Sequence, residues 1–140
     1  MTGLKVYFAC SIRGGGDKSS YTSLIEAIQE EATLLTEVFA KDALLPQGSP
    51  LPNNQIYRRD VDWMDECDVA IVDVSNPSLG VGYEIGYLEK INKPTLALYR
   101  EAQDKKLSAM VAGNPKIELF TYTDIKDAKN KISEWLKQQS

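Results

Sequence analysis

The chain has 140 residues and a net charge of −4, with acidic and basic residues interspersed. This length suffices for one domain with one hydrophobic core. The charge balance argues against long nucleic acid as a partner, because duplex-binding proteins carry a basic stripe. The absence of histidine excludes Ser-His-Asp and Cys-His catalysis and disfavours a catalytic zinc site. Acid–base chemistry therefore has to come from carboxylates, tyrosine, lysine or thiols.

The two cysteines, Cys10 and Cys67, both lie in apolar stretches. This predicts reduced core thiols in a cytoplasmic protein. The first residues show no charged segment followed by an apolar stretch, so we expect no signal peptide. Apolar runs are all too short to span a bilayer. We expect neither a membrane nor a long nucleic acid as partner.

Apolar residues follow an alternating strand and helix pattern along the chain. A short apolar run over 5–9 predicts a buried strand, and helical spacing follows over 19–35. A second strand is expected over 34–39, a loop rich in proline over 40–54 and a helix over 53–66. The remaining predicted elements are strand 68–75, helix 80–91, strand 95–99, short helix 105–112, strand 117–120 and a C-terminal helix with its apolar stripe over 125–136.

Five strands that alternate with helices predict an α/β fold. We expect a doubly wound, five-stranded parallel sheet in a flavodoxin-like or Rossmann-like three-layer sandwich, with residues 1–140 in a single domain. In such sheets ligands bind beyond the carboxyl ends of the strands, where the strand order switches. The loops after the first and third strands are therefore the places to look for a site.

The first of these loops reads "SIRGGG", residues 11–16. Its glycines would let backbone N–H groups approach an anion, and Arg13 could add charge-assisted hydrogen bonds to phosphate. The spacing matches neither a P-loop nor the dinucleotide fingerprint. A strand-to-helix turn that is rich in glycine for backbone reasons alone remains the alternative.

Two acids lie on otherwise apolar helix faces. Glu84 follows the second loop, "SNPSLGVGYE", in which Gly80 and Gly82 allow close backbone approach. Asp60 shares a face with Ile56 and Trp63. An acid among apolar residues is costly unless it is paired, neutralised or used. Two such acids without histidine suit chemistry at an acetal-like carbon, where one attacks and the other donates a proton.

Each acid also has a structural explanation. Glu84 could be a solvated glutamate that the helix N-terminus favours. Asp60 could form a salt bridge with Arg58, Arg59 or Arg13.

Other candidates carry weaker signals. Tyr7, on the first strand, could hold Glu84 or a sugar, or could simply pack in the sheet. Ser108, in "KKLSAMVAG", could be a helix cap or an exposed hydroxyl. Tyr57 and Trp63 could stack on a base, although aromatic residues on a helix stripe are more often core.

Taken together, "YFACSIRGG", "RRDVDWMDECDVAIVDVSNPSLGVGYEIG" and "LSAMVAG" resemble the 2′-deoxynucleoside 5′-phosphate N-hydrolases (the Rcl proteins). That family lies within the nucleoside 2-deoxyribosyltransferase superfamily. The resemblance runs over about residues 7–113. It implies cleavage of the N-glycosidic bond of deoxynucleoside 5′-monophosphates, which yields free base and 2-deoxyribose 5-phosphate.

The resemblance also implies roles for individual residues. Glu84 is similar to the nucleophile that forms a covalent deoxyribosyl-enzyme, Asp60 to the acid that assists departure of the base, and Tyr7 to the tyrosine that positions the nucleophile. Ser108 resembles a serine that reaches the 5′-phosphate across a homodimer interface, so that each dimer shares its two active sites. The other implied substrate-binding residues are Ser11, Ile12, Arg13, Gly14, Gly15, Ser78, Gly80, Ala109 and Met110.

No metal and no organic cofactor are implied. Three alternatives stay open at this stage: a nucleoside 2-deoxyribosyltransferase that passes the sugar to another base, a hydrolase of ribonucleotides, and a nucleotide-binding module without turnover. Recognition of the phosphate separates the first alternative from a monophosphate hydrolase, because a site built for phosphate leaves its donors unpaired when phosphate is missing.

Overall fold

The computed structural model describes residues 1–11, 18–37, 50–102 and 106–140, and within these ranges strands and helices alternate. The strands are β1 (Lys5–Ala9), β2 (Thr33–Leu34), β3 (Val69–Asp73), β4 (Thr95–Arg100) and β5 (Glu118–Tyr122). The helices are α1 (Lys18–Glu31), α2 (Asn53–Glu66), α3 (Leu79–Lys90), α4 (Ala109–Ala112) and α5 (Ile125–Gln139).

The strands form one five-stranded sheet in the order β2-β1-β3-β4-β5, and every neighbouring pair is parallel. This is the flavodoxin-like order, and it confirms the predicted fold class. The order reverses between β1 and β3, where Val6 pairs with Val69 and Ala9 with Val72. The loops that follow β1 and β3 therefore leave the same edge of the sheet side by side.

The two faces of the sheet bury different side chains. Large residues such as Phe8, Ile71 and Leu98 pack with Trp135 on the side of α1 and α5. Because strand side chains alternate between faces, the opposite side receives Tyr7, Ala9, Ala70, Val72 and Ala97, which pack with α2 and α3. On β1 and β3 Tyr7 lies among the smaller side chains of Ala9, Ala70 and Val72, and its hydroxyl reaches Glu84 on α3.

The second strand is much shorter than the prediction of 34–39. It spans two residues, and the prediction is wrong over 35–37. Residues 38–39 of the predicted strand and 40–49 of the predicted loop lie outside the described part of the chain. Although the Leu35 N–H still donates to the Val6 carbonyl at 2.9 Å, the chain then turns. The Thr36 hydroxyl accepts from the Phe8 N–H at 3.1 Å and donates to the Phe8 carbonyl at 3.2 Å. A side chain thus replaces the strand ladder at this point.

Two predicted helices are also too long. The helix predicted over 19–35 extends four residues too far, because α1 ends at Glu31. The next two apolar residues, Ala32 and Leu34, pack in the core from outside the helix. The short helix predicted over 105–112 comprises only Ala109–Ala112. Residues 106–108 are not helical, since Ser108 has extended backbone and caps α4 instead. Residues 103–105 lie outside the described part of the chain.

Both cysteines are buried free thiols, as the sequence predicts. Burial raises the pKa of Cys10, with smaller contributions from the charges of Asp73 and Glu84. Its thiol therefore stays protonated at neutral pH, which argues against a cysteine nucleophile. Within the described residues, every helix is too short or too polar to cross a bilayer.

Candidate active site

Tyr7 and Glu84 meet between β1 and α3. The Tyr7 hydroxyl donates a hydrogen bond of 2.5 Å to Glu84 Oε2, across 77 positions of sequence. Tyr7 is almost fully buried, and the Glu84 residue is only partly exposed. A carboxylate is therefore held in a defined orientation by a donor from the strand beneath it.

The start of α3 places Glu84 at this position. Ser78 is the N-cap residue, and its Oγ accepts from the Val81 N–H at 3.2 Å. A Cβ atom on Gly80 would lie 3.7 Å from Glu84 Oε1 and 3.8 Å from Ser78 Oγ. A side chain at position 80 would thus be in van der Waals contact with both the carboxylate and the capping hydroxyl, and glycine keeps that volume free.

The environment of Glu84 favours its neutral form. Burial is the main cause and the negative charge of Asp60 adds to it, while the hydrogen bond from Tyr7 opposes both, and together they raise the pKa of Glu84 to about 7. Burial, followed by the charges of Glu84 and Asp60, raises the pKa of Tyr7 well above its ordinary value. Tyr7 consequently remains a protonated donor, whereas Glu84 titrates near neutral pH.

Asp60 is the second acid of the site and lies on α2. Its side chain is 18% exposed, and Oδ1 accepts a hydrogen bond of 3.0 Å from Arg59 Nε. Burial raises the pKa of Asp60, whereas the hydrogen bond and the charge of Arg59 lower it. Because the charge of Asp60 acts on both Glu84 and Tyr7, the three groups form one electrostatic unit.

Glu84→Gln is expected to stabilise the protein at alkaline pH. Since folding raises the Glu84 pKa from its usual 4.5 to about 7, the folded state binds more protons than the unfolded state between these values. Wild-type stability therefore falls as pH rises through this window, and the variant lacks this loss. Thermal unfolding at pH 8 should show a gain of about 3 kcal/mol, or roughly 10 °C, that disappears near pH 4.5.

The charge-matched control is Glu134→Gln, which removes an exposed glutamate on α5. It should leave the pH dependence of unfolding unchanged. An unfolding difference between wild type and Glu84→Gln that stays constant from pH 4.5 to 8 would show that Glu84 carries no raised pKa.

The other predicted substrate-binding residues fall into separate places. Ser11 is buried at the end of β1, and its carbonyl accepts from the Tyr21 hydroxyl at 3.2 Å. Gly80 lies beside Glu84, and Ser78 caps the helix that carries both. The predictions for Ile12, Arg13, Gly14 and Gly15 concern residues outside the described part of the chain.

Ser108, Ala109 and Met110 lie on a different side of α3 from Glu84. They are exposed at the start of α4, where Ser108 Oγ accepts from the Met110 N–H at 3.2 Å. Ser108 and Met110 line a groove of about 680 Å³ together with Ser78, Gly82, Ile85, Gly86 and Glu89. Helical spacing puts Gly82, Ile85 and Glu89 on one face of α3 and Glu84 on another. Within one chain, Ser108 is thus not part of the cluster formed by Tyr7, Asp60 and Glu84.

One buried acid escaped the sequence analysis. Asp73 ends β3 with 1% of its surface exposed, and its Oδ1 accepts from the Ser75 N–H at 3.0 Å. Burial raises the pKa of Asp73 to about 6, against hydrogen bonds from Ser75 and the charge of Arg100. The available signal was a single charge inside the apolar run "DVAIVDVS". Asp73 fixes the start of the loop that leads to Ser78.

The described residues contain no group of three cysteine, aspartate or glutamate side chains arranged to hold a metal ion. The sequence profile of the nucleoside 2-deoxyribosyltransferase family matches residues 6–125. The chain belongs to this family. The match includes β1 with Tyr7, α2 with Asp60 and α3 with Glu84.

Several members of the family are close in sequence. A protein of Syntrophotalea carbinolica that is named as a 2′-deoxynucleoside 5′-phosphate N-hydrolase is 37% identical over 125 residues, covering 89% of this chain and 88% of its own. The 5-hydroxymethyl-dUMP N-hydrolase of Tetraodon nigroviridis is 39% identical over 124 residues, covering 86% and 87%. The resemblance drawn from the sequence motifs is therefore confirmed.

Solved structures support the fold. The CMP N-glycosidase of Clostridium botulinum superimposes with a TM-score of 0.68 at 19% identity, covering 92% of this chain and 98% of its own. The 2-deoxyribosyltransferase of Bacillus psychrosaccharolyticus gives 0.67 at 14% identity, covering 94% and 95%. At these identities the likeness concerns the architecture of the sheet and its helices.

Proposed function

We propose that this protein is an N-glycosidase that hydrolyses 2′-deoxynucleoside 5′-monophosphates to free base and 2-deoxyribose 5-phosphate. The hydrogen bond of 2.5 Å between Tyr7 and Glu84, at the switch in strand order, is the observation that carries the proposal. It holds one carboxylate as a nucleophile while a second acid, Asp60, lies within its electrostatic reach. The names of the relatives as N-hydrolases of deoxynucleotides support the same reaction.

In the first step Glu84 attacks the anomeric carbon. A bond forms between a Glu84 carboxylate oxygen and this carbon, the N-glycosidic bond breaks, and its electron pair leaves with the base, which takes a proton from Asp60. The transition state resembles an oxocarbenium ion, so the negative charge of Glu84 stabilises it before the bond is complete. The absent 2′-hydroxyl makes that cation easier to reach.

In the second step water attacks the same carbon and loses a proton to Asp60. The ester bond to Glu84 breaks, which frees the carboxylate and leaves a hydroxyl on 2-deoxyribose 5-phosphate. Tyr7 keeps its proton throughout, because its pKa is far above neutral. Its role is to orient Glu84 and to stabilise the charge that returns to it.

The 5′-phosphate is expected at the edge of the sheet where β1 and β3 end. Ser11, Ile12, Arg13, Gly14 and Gly15 would contact the substrate from the first loop, and Ser78 and Gly80 from the second. Ser78 begins α3, whose N-terminal N–H groups favour an anion.

We also propose a homodimer in which Ser108 of each chain, with Ala109 and Met110, reaches the phosphate site of its partner. Leu79 is 98% exposed and Met110 is 83% exposed, which is unusual for large apolar side chains. A Cβ atom on Gly82 or Gly86 would meet nothing within 4 Å, so a second helix can approach α3 closely. A second copy of this chain would cover this surface and bring its Ser108 toward the partner's site.

Ser108→Ala is expected to raise KM for a deoxynucleoside monophosphate by about 10- to 100-fold with little change in kcat, because a hydrogen bond to a charged phosphate is lost. Steady-state kinetics would measure this.

The proposed dimer allows a second test. Mixing Ser108→Ala with Glu84→Gln creates heterodimers in which one site has Glu84 from the first variant and Ser108 from the second. Activity with the wild-type KM should therefore return. An unaltered KM in Ser108→Ala, or no complementation on mixing, would contradict the cross-subunit role.

The family profile also favours a second candidate, a nucleoside 2-deoxyribosyltransferase. The test is to incubate the purified protein with each deoxynucleoside 5′-monophosphate, the matching ribonucleotides and the unphosphorylated deoxynucleosides, with and without a different free base. Chromatography then measures released or exchanged base. Release from deoxy-monophosphates alone supports the hydrolase. Base exchange on unphosphorylated deoxynucleosides supports the transferase. Release of base from ribonucleotides supports a ribonucleotide hydrolase, and the absence of any turnover supports a binding module.

A further inference from the structure

Arg59 is an enclosed cation beside the acid of the site. Its side chain is 15% exposed, and Nε donates to Asp60 Oδ1 at 3.0 Å. Its guanidinium carbon lies 4.7 Å from the centre of the Trp63 ring, which is one helical turn further along α2. The ion pair with Asp60 and the cation–π contact with Trp63 both restrain the guanidinium group.

The pairing of neighbouring residues is unusual on a helix. Side chains at i and i+1 do not face each other on a helix. The side chains of Arg59 and Asp60 must therefore both turn toward each other to form their contact. Because both residues lie on α2, this contact does not connect two elements of the fold. It acts on the Asp60 carboxyl group, where Oδ1 accepts the hydrogen bond.

The charge of Arg59 also reaches the other groups of the site. It lowers the pKa of Asp60, and it lowers that of Tyr7 on β1. The titratable groups that act together here are Arg59 and Asp60 from α2, Tyr7 from β1 and Glu84 from α3. Arg59 is the described cation whose charge acts on this group of acids.

We propose that Arg59 is a positioning residue that holds Asp60 through Oδ1, leaves Oδ2 to carry the proton for the departing base, and sets by its charge the pH range in which Asp60 serves as the acid. The proposal rests on the N-glycosidase function put forward above. Arg59 itself does not contact the sugar in this mechanism. It acts through the orientation and ionisation of Asp60.

The test compares Arg59→Gln with Arg58→Gln, since Arg58 is the exposed neighbour on the same helix. The pH profile of kcat/KM reports the pKa values of both acids of the free enzyme, and the limb that is lost in Asp60→Asn is the one that belongs to Asp60. For Arg59→Gln we expect the Asp60 limb to move upward by about one pH unit, and kcat/KM at the optimum to fall roughly tenfold. Arg58→Gln should reproduce the wild-type profile. An unmoved Asp60 limb in Arg59→Gln overturns the proposal.

Arg59→Lys tests charge apart from shape. It keeps the positive charge but loses the planar fork, so its Asp60 limb should lie between those of wild type and Arg59→Gln. This variant also serves if Arg59→Gln does not fold. A profile of Arg59→Lys that coincides with wild type in both the limb and kcat would show that orientation by the guanidinium plays no part.

A readout without activity separates this proposal from the proposed function. Carbon-13 NMR of protein labelled at aspartate carboxyl carbons, with the Asp60 signal assigned by Asp60→Asn, follows the titration of Asp60 directly. Removal of Arg59 should move this titration to higher pH. If wild type releases no base from any nucleotide, the function fails while the NMR titration still decides the coupling. If wild type is active and the Asp60 titration does not move, only the role of Arg59 fails.

Discussion

Glu84→Gln is expected to reduce kcat/KM for deoxynucleoside monophosphates by roughly 10⁴-fold. The amide keeps the size of the side chain and still accepts the hydrogen bond from Tyr7, but it cannot form the ester with the anomeric carbon. Single-turnover assays of base release would measure the loss. Wild type quenched during turnover should carry a deoxyribosyl 5-phosphate group on the peptide that contains Glu84, as detected by mass spectrometry.

The comparison requires that the variant remain folded. Glu134→Gln, on the opposite side of the sheet, makes the same chemical change and should retain full activity. Glu84→Ala offers a positive test, because azide could occupy the vacated space and yield the glycosyl azide. Activity of Glu84→Gln within tenfold of wild type would remove Glu84 from the role of nucleophile.

Asp60→Asn is expected to lower kcat/KM by about 10²- to 10⁴-fold on natural bases. The amide cannot donate the proton that a departing base needs, so the loss should follow the basicity of the leaving group. A base with a more acidic N–H, such as a 5-halogenated uracil, leaves without much assistance and should suffer least. A series of deoxyuridylate analogues would give the slope of rate against leaving-group pKa, which should steepen in the variant.

Asp62→Asn is the matched control, because Asp62 is an exposed acid on the same helix. It should behave as wild type on every analogue. Asp60→Asn also leaves Arg59 without its carboxylate, so thermal unfolding must accompany the kinetics. A uniform loss across all leaving groups would assign Asp60 to structure rather than to proton donation.

Burial raises the pKa of both acids in the free protein. The Glu84 pKa rises to about 7, while for Asp60 the hydrogen bond and the charge of Arg59 oppose the rise. Under the proposed mechanism the attacking form of Glu84 is its carboxylate, so one limb of the kcat/KM profile should report the Glu84 pKa near 7. Contacts with the 5′-phosphate then supply binding energy that helps the substrate to bind while the pair of Glu84 and Asp60 is partly protonated.

Local sequence pattern predicted most of the fold. Helix α2 begins and ends at the predicted residues, 53–66, since its apolar positions recur at helical spacing and a stretch rich in proline precedes it. The strand "DVAIVDVS" was recognisable because a strand buried on both faces is a continuous apolar run. The errors lie where a side-chain hydrogen bond overrides periodicity: the Thr36 hydroxyl ends β2 through a nonlocal contact with Phe8, and the local Ser108 cap shortens α4.

The sequence by itself determined the alternation of elements, the switch point at which the candidate ligand loops meet, and the candidate acids Asp60 and Glu84, because periodicity and the placement of charges in apolar runs are local properties. Motif resemblance added the family and the proposed roles of Tyr7, Asp60 and Glu84. Only the tertiary structure decided which titratable groups lie close enough to interact electrostatically. The contact of Tyr7 with Glu84, the choice of Arg59 rather than Arg58 as the partner of Asp60, and the burial of Asp73 depend on how β1, α2, β3 and α3 pack. Protonation follows from that packing, since burial and neighbouring charge set a pKa and neither is encoded in the spacing of residues along the chain.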